Sequence, residues 1–203
     1  MTIALLADET VFQSLIASAP QLEWVRVTDL SILVADEKID AFLNFDTDAA
    51  FQDYGMAKIP VFINSVTTTL RGQGHQPMVV RLNGWNGFYQ RNSWEVSGTL
   101  FPEHISVLDH LGKKVILLPD EPGFVSPRII AMIINEACFA CEEKVSSTDE
   151  IDIAMKLGTN YPKGPFEWLR EIGVKEVRAL LESLQFSDTR YRVSDYLLNY
   201  PAD

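Results

Sequence analysis

The chain has 203 residues, 47% of them hydrophobic and 22% charged. That length and apolar content suit one large domain or two modest ones with a real core, and exclude a disordered, fibrous or disulfide-stapled chain. Acidic residues outnumber basic ones 28 to 17, and ten of the acids against three of the bases fall within residues 1–60. A net charge of -11 repels polyanions, so no nucleic-acid partner is expected.

In chain order, residues 3–7 read as a strand, 10–19 as a helix and 22–27 as a second strand. Short apolar segments follow at 32–35, 41–45 and 61–64. Residues 77–83 and 94–96 are further strands, 102–111 a helix, and 113–118 (KKVILL) a strand whose composition predicts burial. This alternation is that of an α/β domain with a largely parallel sheet. The segment PDEPG at 119–123 then punctuates the chain. Beyond it Val125, Ile129, Met132, Ile133, Cys138 and Phe139 recur at helical spacing. Another helix begins at Ser147 or Thr148, where Ser-Thr-Asp-Glu has the form of a cap with carboxylates in the first turn. Its apolar positions are Ile151, Ile153, Met155 and Leu157. Residues 160–165 form a Pro/Gly turn, 166–172 and 174–184 are helices, and 191–200 is a candidate for one more short helix. The expected division is an α/β domain over residues 1–121 and an all-α domain over 122–203.

Cys138 and Cys141 lie inside a long helical pattern, not where a strand enters a helix, so packed thiols are expected in place of redox or metal chemistry. The N-terminus reads without a signal peptide, and the longest fully apolar stretch, 129–134, is far short of a membrane span. A cytoplasmic protein with no membrane partner is expected.

Residues 119–137 (PDEPGFVSPRIIAMIINEA) and 149–184 resemble the domain junction and the C-terminal helical domain of the 3-hydroxyacyl-CoA dehydrogenases. Asp152, Ala154, Met155, Gly158, Pro162, Gly164, Pro165, Phe166 and Gly173 fall where the family pattern has the same residues. The N-terminal part resembles the family more weakly, through its strand order, Asn64-Ser65 and residues 83–95. The resemblance implies a Rossmann-like parallel sheet domain, shortened on the cofactor side, followed by a helical domain of the 3-hydroxyacyl-CoA dehydrogenase type. It further implies that the two domains close over an acyl-CoA. A His–Glu pair then handles the proton of the 3-hydroxyl while hydride passes to NAD, and the helical domain forms a dimer.

Several positions depart from that pattern. A dinucleotide fingerprint needs small residues where the first strand turns into its helix, because the pyrophosphate rests on backbone N–H groups there. The family's three glycines correspond here to Ala7, Glu9 and Phe12. Phe12 is expected to hold the helix off the strand, and Asp8 and Glu9 to place carboxylates beside the phosphate with no basic residue nearby. Asp29 falls where the ribose-binding acid belongs. Glu95 matches the catalytic Glu, but the family's His, twelve residues earlier, is Asn83, and Asn86 matches the pattern's Asn. An Asn side chain does not titrate near neutral pH, so it cannot act as base. Thr67 is a candidate for the substrate-binding hydroxyl, and Pro127 replaces a family Asn. His75, in a short loop, is the histidine nearest in sequence. Trp85 and Phe88, beside Gly84 and Gly87, either line an apolar ligand groove or pack at the sheet edge. The expectation is a non-catalytic relative that needs no cofactor, dimerises through residues 124–185 and has an acyl or CoA-like ligand groove. The alternative is a divergent NAD-dependent 3-hydroxyacyl-CoA dehydrogenase.

Overall fold

The computed structural model describes residues 1–31, 38–46, 52–55, 57–71 and 76–201. The apolar segment expected at 32–35 and the loop residue His75 lie outside the described residues. The chain divides into two compact units, Met1–Phe124 and Val125–Asp203.

The first unit runs β1 (Thr2–Leu6), α1 (Glu9–Ser18), β2 (Glu23–Arg26), β3 (Ala41–Asn44), β4 (Val61–Asn64), β5 (Val79–Leu82), β6 (Ser93–Ser97), α2 (Pro102–His110) and β7 (Lys114–Leu117). Its sheet has the order β2-β1-β3-β4-β5-β6-β7, parallel throughout except between β5 and β6. Ile3 and Leu5 of β1 pack into one core with Val11 and Leu15 of α1 and Val107 and Leu108 of α2. Ala4 and Leu6 point the other way, into a second core with Phe42, Tyr54, Val61 and Ile63. Strands buried on both faces need continuous apolar runs, which is why TIALL, AFLN and VFIN do not alternate. The strand order reverses between β1 and β3, the point at which doubly wound sheets form their ligand crevice. The dinucleotide-binding order 3-2-1-4-5-6 has a further strand outside its second, whereas among the described residues this sheet ends at β2.

Strand β7 departs from its expected burial. It is the last strand of the sheet, and Ile116 and Leu117 are 44% and 57% exposed. Composition reports the apolar run but not the place in the strand order, and an edge strand is paired on one side only.

Helix α2 is pinned by a fully buried histidine. His104 Nδ1 accepts the Phe101 N–H at 3.2 Å, which leaves the proton on Nε2 to donate to the Met78 carbonyl at 2.9 Å. Burial holds the imidazole below its ordinary pKa, against the opposing pull of the Met78 bond. The group therefore contributes stability in full above the unfolded value of about 6.5, and that contribution is lost as pH falls through the folded value. His104→Gln keeps an acceptor and a donor but does not titrate. The urea midpoint of the native chain should fall more steeply than that of H104Q between about pH 7 and about pH 5. Parallel curves would count against the assignment.

The second unit consists of α3 (Ser126–Glu142), α4 (Thr148–Thr159), α5 (Pro165–Ile172), α6 (Val174–Gln185), a 3-10 turn (Thr189–Tyr191) and α7 (Asp195–Leu198). The cap expected at Ser147 is a capping box, in which Ser147 Oγ receives the Glu150 N–H while the Glu150 carboxylate receives the Ser147 N–H. On α3 the buried stripe is Ala131, Ile134, Asn135, Ala137 and Cys138, whereas Val125 and Ile129 face outward. Asn135 spends both ends of its amide on the C-terminal segment, donating to Arg192 O and accepting from Ser194 N–H. Cys138 is buried and Cys141 half-buried, both as free thiols, and burial pushes Cys138 up to about 12.

The residues that carry the resemblance form a joint between α4 and α5. Asp152, on the inner face of α4, accepts the Phe166 N–H at 2.8 Å and so caps α5 from outside its own segment. Gly164 leaves room for it, since a Cβ there would fall 2.3 Å from Asp152 Oδ1. Pro165 occupies the first turn, where a missing N–H is harmless, and Phe166 is fully buried. Gly173, at φ 110°, makes the break between α5 and α6.

Candidate functional site

The antiparallel register of β5 and β6 sets Leu82 opposite Val96, and so Asn83 opposite Glu95. The Asn83 N–H donates to the Glu95 carbonyl at 3.0 Å, and Asn83 Nδ2 donates to Glu95 Oε2, also at 3.0 Å. Both side chains are buried. The twelve-residue interval between them is thus the closure of a hairpin. Asn83 Oδ1 accepts from the Trp85 N–H at 3.4 Å, which fixes the amide's orientation. A neutral amide bonded in this way orients a carboxylate without being able to take a proton from a neighbour.

The adjoining β4 end is tightly fitted. Asn64 Oδ1 accepts the Gly84 N–H at 3.1 Å, and a Cβ on Gly84 would fall 2.6 Å from Asn64 Cγ. Ser65 Oγ donates to the Thr68 carbonyl at 2.6 Å, and Thr67 is half-buried on the same loop. Asn86, by contrast, is exposed. Trp85 and Phe88 are buried and meet edge to face at 6.4 Å, with the Arg91 guanidinium 4.1 Å from the Phe88 ring. In this structure those rings pack within the turn that follows β5.

A larger polar feature beside this site escapes the sequence reading. Arg81 of β5, fully buried, donates to Asp120 at 2.6 Å, to Ser65 O at 3.0 Å and to Glu121 O, and lies 4.2 Å from the Phe124 ring. Asp120 also accepts from the Leu70 and Arg71 N–H groups. The pair therefore ties β5, the loop after β4 and the segment after β7 into one assembly. A lone arginine inside the apolar run VVRL was the available signal.

At the β1–α1 turn, Asp8 turns its carboxylate onto its own helix and accepts the Val11 N–H at 2.8 Å. Glu9 is not without a base nearby. Arg26, on the neighbouring strand β2, pairs with it, donates to Ala7 O at 3.4 Å and lies 5.2 Å from the ring of Phe12. The expectation of uncompensated carboxylates is corrected because parallel pairing of β1 with β2 brings Arg26 to the turn from seventeen residues away. The Gln13 amide first, and then the Arg26 charge, hold Glu9 below the usual carboxylate range. Phe12 is half-buried against the core. Asp29 is exposed and closes a local turn with the Ser31 N–H at 2.8 Å.

A dinucleotide pyrophosphate needs free helix N-terminal N–H groups and close backbone approach. Here a carboxylate already accepts from the helix, an ion pair covers the turn and an aromatic ring stands at the third glycine position. These residues do not fit an NAD pyrophosphate. Among the described residues there is no cluster of His, Cys, Asp or Glu suited to a metal ion, and no helix is long and apolar enough to cross a membrane.

Residues 123–200 match the profile of the 3-hydroxyacyl-CoA dehydrogenase C-terminal domain. The 3-hydroxyadipyl-CoA dehydrogenase of Escherichia coli (strain K12) is 44% identical over 90 residues, 43% of this chain and 19% of that protein. The 3-hydroxybutyryl-CoA dehydrogenase of Bradyrhizobium diazoefficiens is 37% identical over 92 residues, 44% of this chain and 31% of that protein. The chain thus matches less than a third of the length of either relative. The (S)-3-hydroxybutyryl-CoA dehydrogenase PaaH1 of Ralstonia eutropha shares the fold with a TM-score of 0.72 at 22% identity, covering 97% of this chain and 92% of that one. FadB2 of M. tuberculosis does so with a TM-score of 0.74 at 13% identity, covering 97% and 91%.

Proposed function

We propose that the chain belongs, through its helical unit, to the 3-hydroxyacyl-CoA dehydrogenase family and that within the family it is a protein without dehydrogenase activity. The observation that carries this reading is the buried hydrogen bond from Asn83 Nδ2 to Glu95 Oε2, with an amide where the resemblance places the catalytic His. Loss of a general base alone costs about 10²–10⁴-fold in rate. The self-capped, ion-paired turn at Asp8 and Glu9 works against the cofactor independently.

Incubated with NADH and acetoacetyl-CoA, the full chain should oxidise no NADH above the buffer rate, and NADH should not raise its melting temperature. Turnover that disappears in Glu95→Gln would overturn the reading in favour of a divergent NAD-dependent dehydrogenase. A melting shift with acetoacetyl-CoA alone would assign the chain an acyl-CoA groove that outlived the chemistry.

The same reading makes the helical unit a homodimer interface. Ile129, Ile153 and Leu157 are exposed, Leu157 by 83%, and a Cβ on the neighbouring Gly158 would touch nothing within the unit. Covering such side chains is favourable at roughly 25 cal/mol per Å². Light scattering at micromolar concentration should give a dimer mass for the native chain and a monomer mass for Leu157→Lys. A monomeric native chain rejects the interface. Free thiols suit a reducing compartment, and we read the protein as cytoplasmic.

A further inference from the structure

The helical unit carries an open groove of about 670 Å³ that the dehydrogenase resemblance does not account for. Its walls come from the end of α3, the start of α4, α5, and α7 with the residues after it, and include Glu142, Arg170, Asp195, Tyr196, Asn199 and Tyr200. The volume is that of a metabolite site.

We propose that this groove binds an organic ammonium ion. One argument comes from the rings. Tyr196 and Tyr200 are half-buried with centroids 6.0 Å apart at 56°, and Phe166 backs both of them at 6.3 and 6.2 Å. They form a prebuilt aromatic corner, and the face of an aromatic ring attracts a cation while remaining indifferent to its methyl groups.

The other argument is the charge on the walls. The one arginine among them, Arg170, is paired with the buried Asp152 at 3.4 Å. Among the described residues neither Glu142 nor Asp195 forms an ion pair. Glu142 uses Oε2 to receive the N–H groups of Asp195 and Tyr196, and Asn199 donates to Asp195 O; among the described residues Glu142 Oε1 and the Asn199 amide oxygen have no hydrogen-bond partner. Two carboxylates beside tyrosine rings outweigh the single arginine and favour a cation over a phosphate, and the net charge of -11 acts in the same direction. The ligand is an amine or a quaternary ammonium, either free or as the modified side chain of a peptide.

An NMR titration of the isotopically labelled full chain tests this, with choline, a peptide carrying one trimethyl-lysine, and inorganic phosphate as probes. Choline should produce saturable shifts at the Tyr196, Asn199 and Tyr200 amides in the millimolar range. Its affinity should weaken by about tenfold in Asp195→Asn, an exposed position that leaves the fold intact, and in Tyr200→Leu. Tighter binding of the peptide than of choline would make the ammonium ion part of a protein partner, and the reverse would make it a small molecule. Either result sustains the site. Absence of saturation with both cations, equal choline affinity in D195N and the native chain, or saturation by phosphate at the same amides would overturn it. None of these outcomes bears on whether the sheet unit lacks dehydrogenase activity.

Discussion

Asp120→Ala should cost the first unit about 3–5 kcal/mol, because it leaves the Arg81 guanidinium buried without its counter-charge. Arg81 is wholly inaccessible, whereas the Asp120 side chain is 19% exposed. The two single substitutions therefore differ in consequence. In Asp120→Ala the arginine keeps carbonyl partners at Ser65 and Glu121, and the one carboxylate still acting on it, that of Glu121, is already paired with Arg71. In Arg81→Met the carboxylate retains the Leu70 and Arg71 N–H groups and can reach water, so the loss should be nearer 1–3 kcal/mol, about the cost of a broken charged hydrogen bond. Removing both partners should cost less than the sum of the two losses. Urea denaturation followed through Trp85 and Trp94, both buried in this unit, measures all three. If Asp120→Ala lies within about 1 kcal/mol of the native chain, the pair does not hold the unit together.

Gly164→Ala should destabilise the helical unit by about 3 kcal/mol, an overpacking cost combined with damage to a buried cap. The added methyl would fall 2.3–2.4 Å from Oδ1, Cβ and Cγ of Asp152. Asp152 cannot withdraw, because its backbone lies within α4 and its carboxylate is committed to Phe166 and Arg170. Gly158, another glycine of the same motif, predicts the opposite sign. It is exposed on α4 with nothing near it within the unit, so Gly158→Ala should gain the monomeric chain up to about 1 kcal/mol from helix propensity. Thermal melts followed by circular dichroism distinguish the two. Equal and small effects would mean that the motif's glycines do not act through the α4–α5 joint.

Much of the architecture is legible in the residues because it is local. The Ser147 cap, the turn at 160–165 and the helix break at Gly173 each rest on contacts or backbone preferences within a few positions. The alternation of apolar runs with helices likewise identifies an α/β sheet, since strands covered on both faces need uninterrupted hydrophobic segments. The candidate site is only partly legible. The resemblance brings Asn83 and Glu95 to notice, but the hydrogen bond between them follows from the β5–β6 register.

What the amino-acid sequence determined by itself is therefore the order of the elements, the two-part division and the absence of a titratable base at position 83. The tertiary structure decided which charges meet. Glu9 finds Arg26 because β2 pairs with β1, and Arg81 finds Asp120 across thirty-nine residues because the segment after β7 passes the end of β5. It also decided that the apolar strand β7 lies at an edge and that Trp85 and Phe88 pack against each other. The physical reason is range. Caps, turns and periodicity are governed by neighbours within a turn or two of chain, while ion pairing and burial depend on strand order, which no short window of sequence contains.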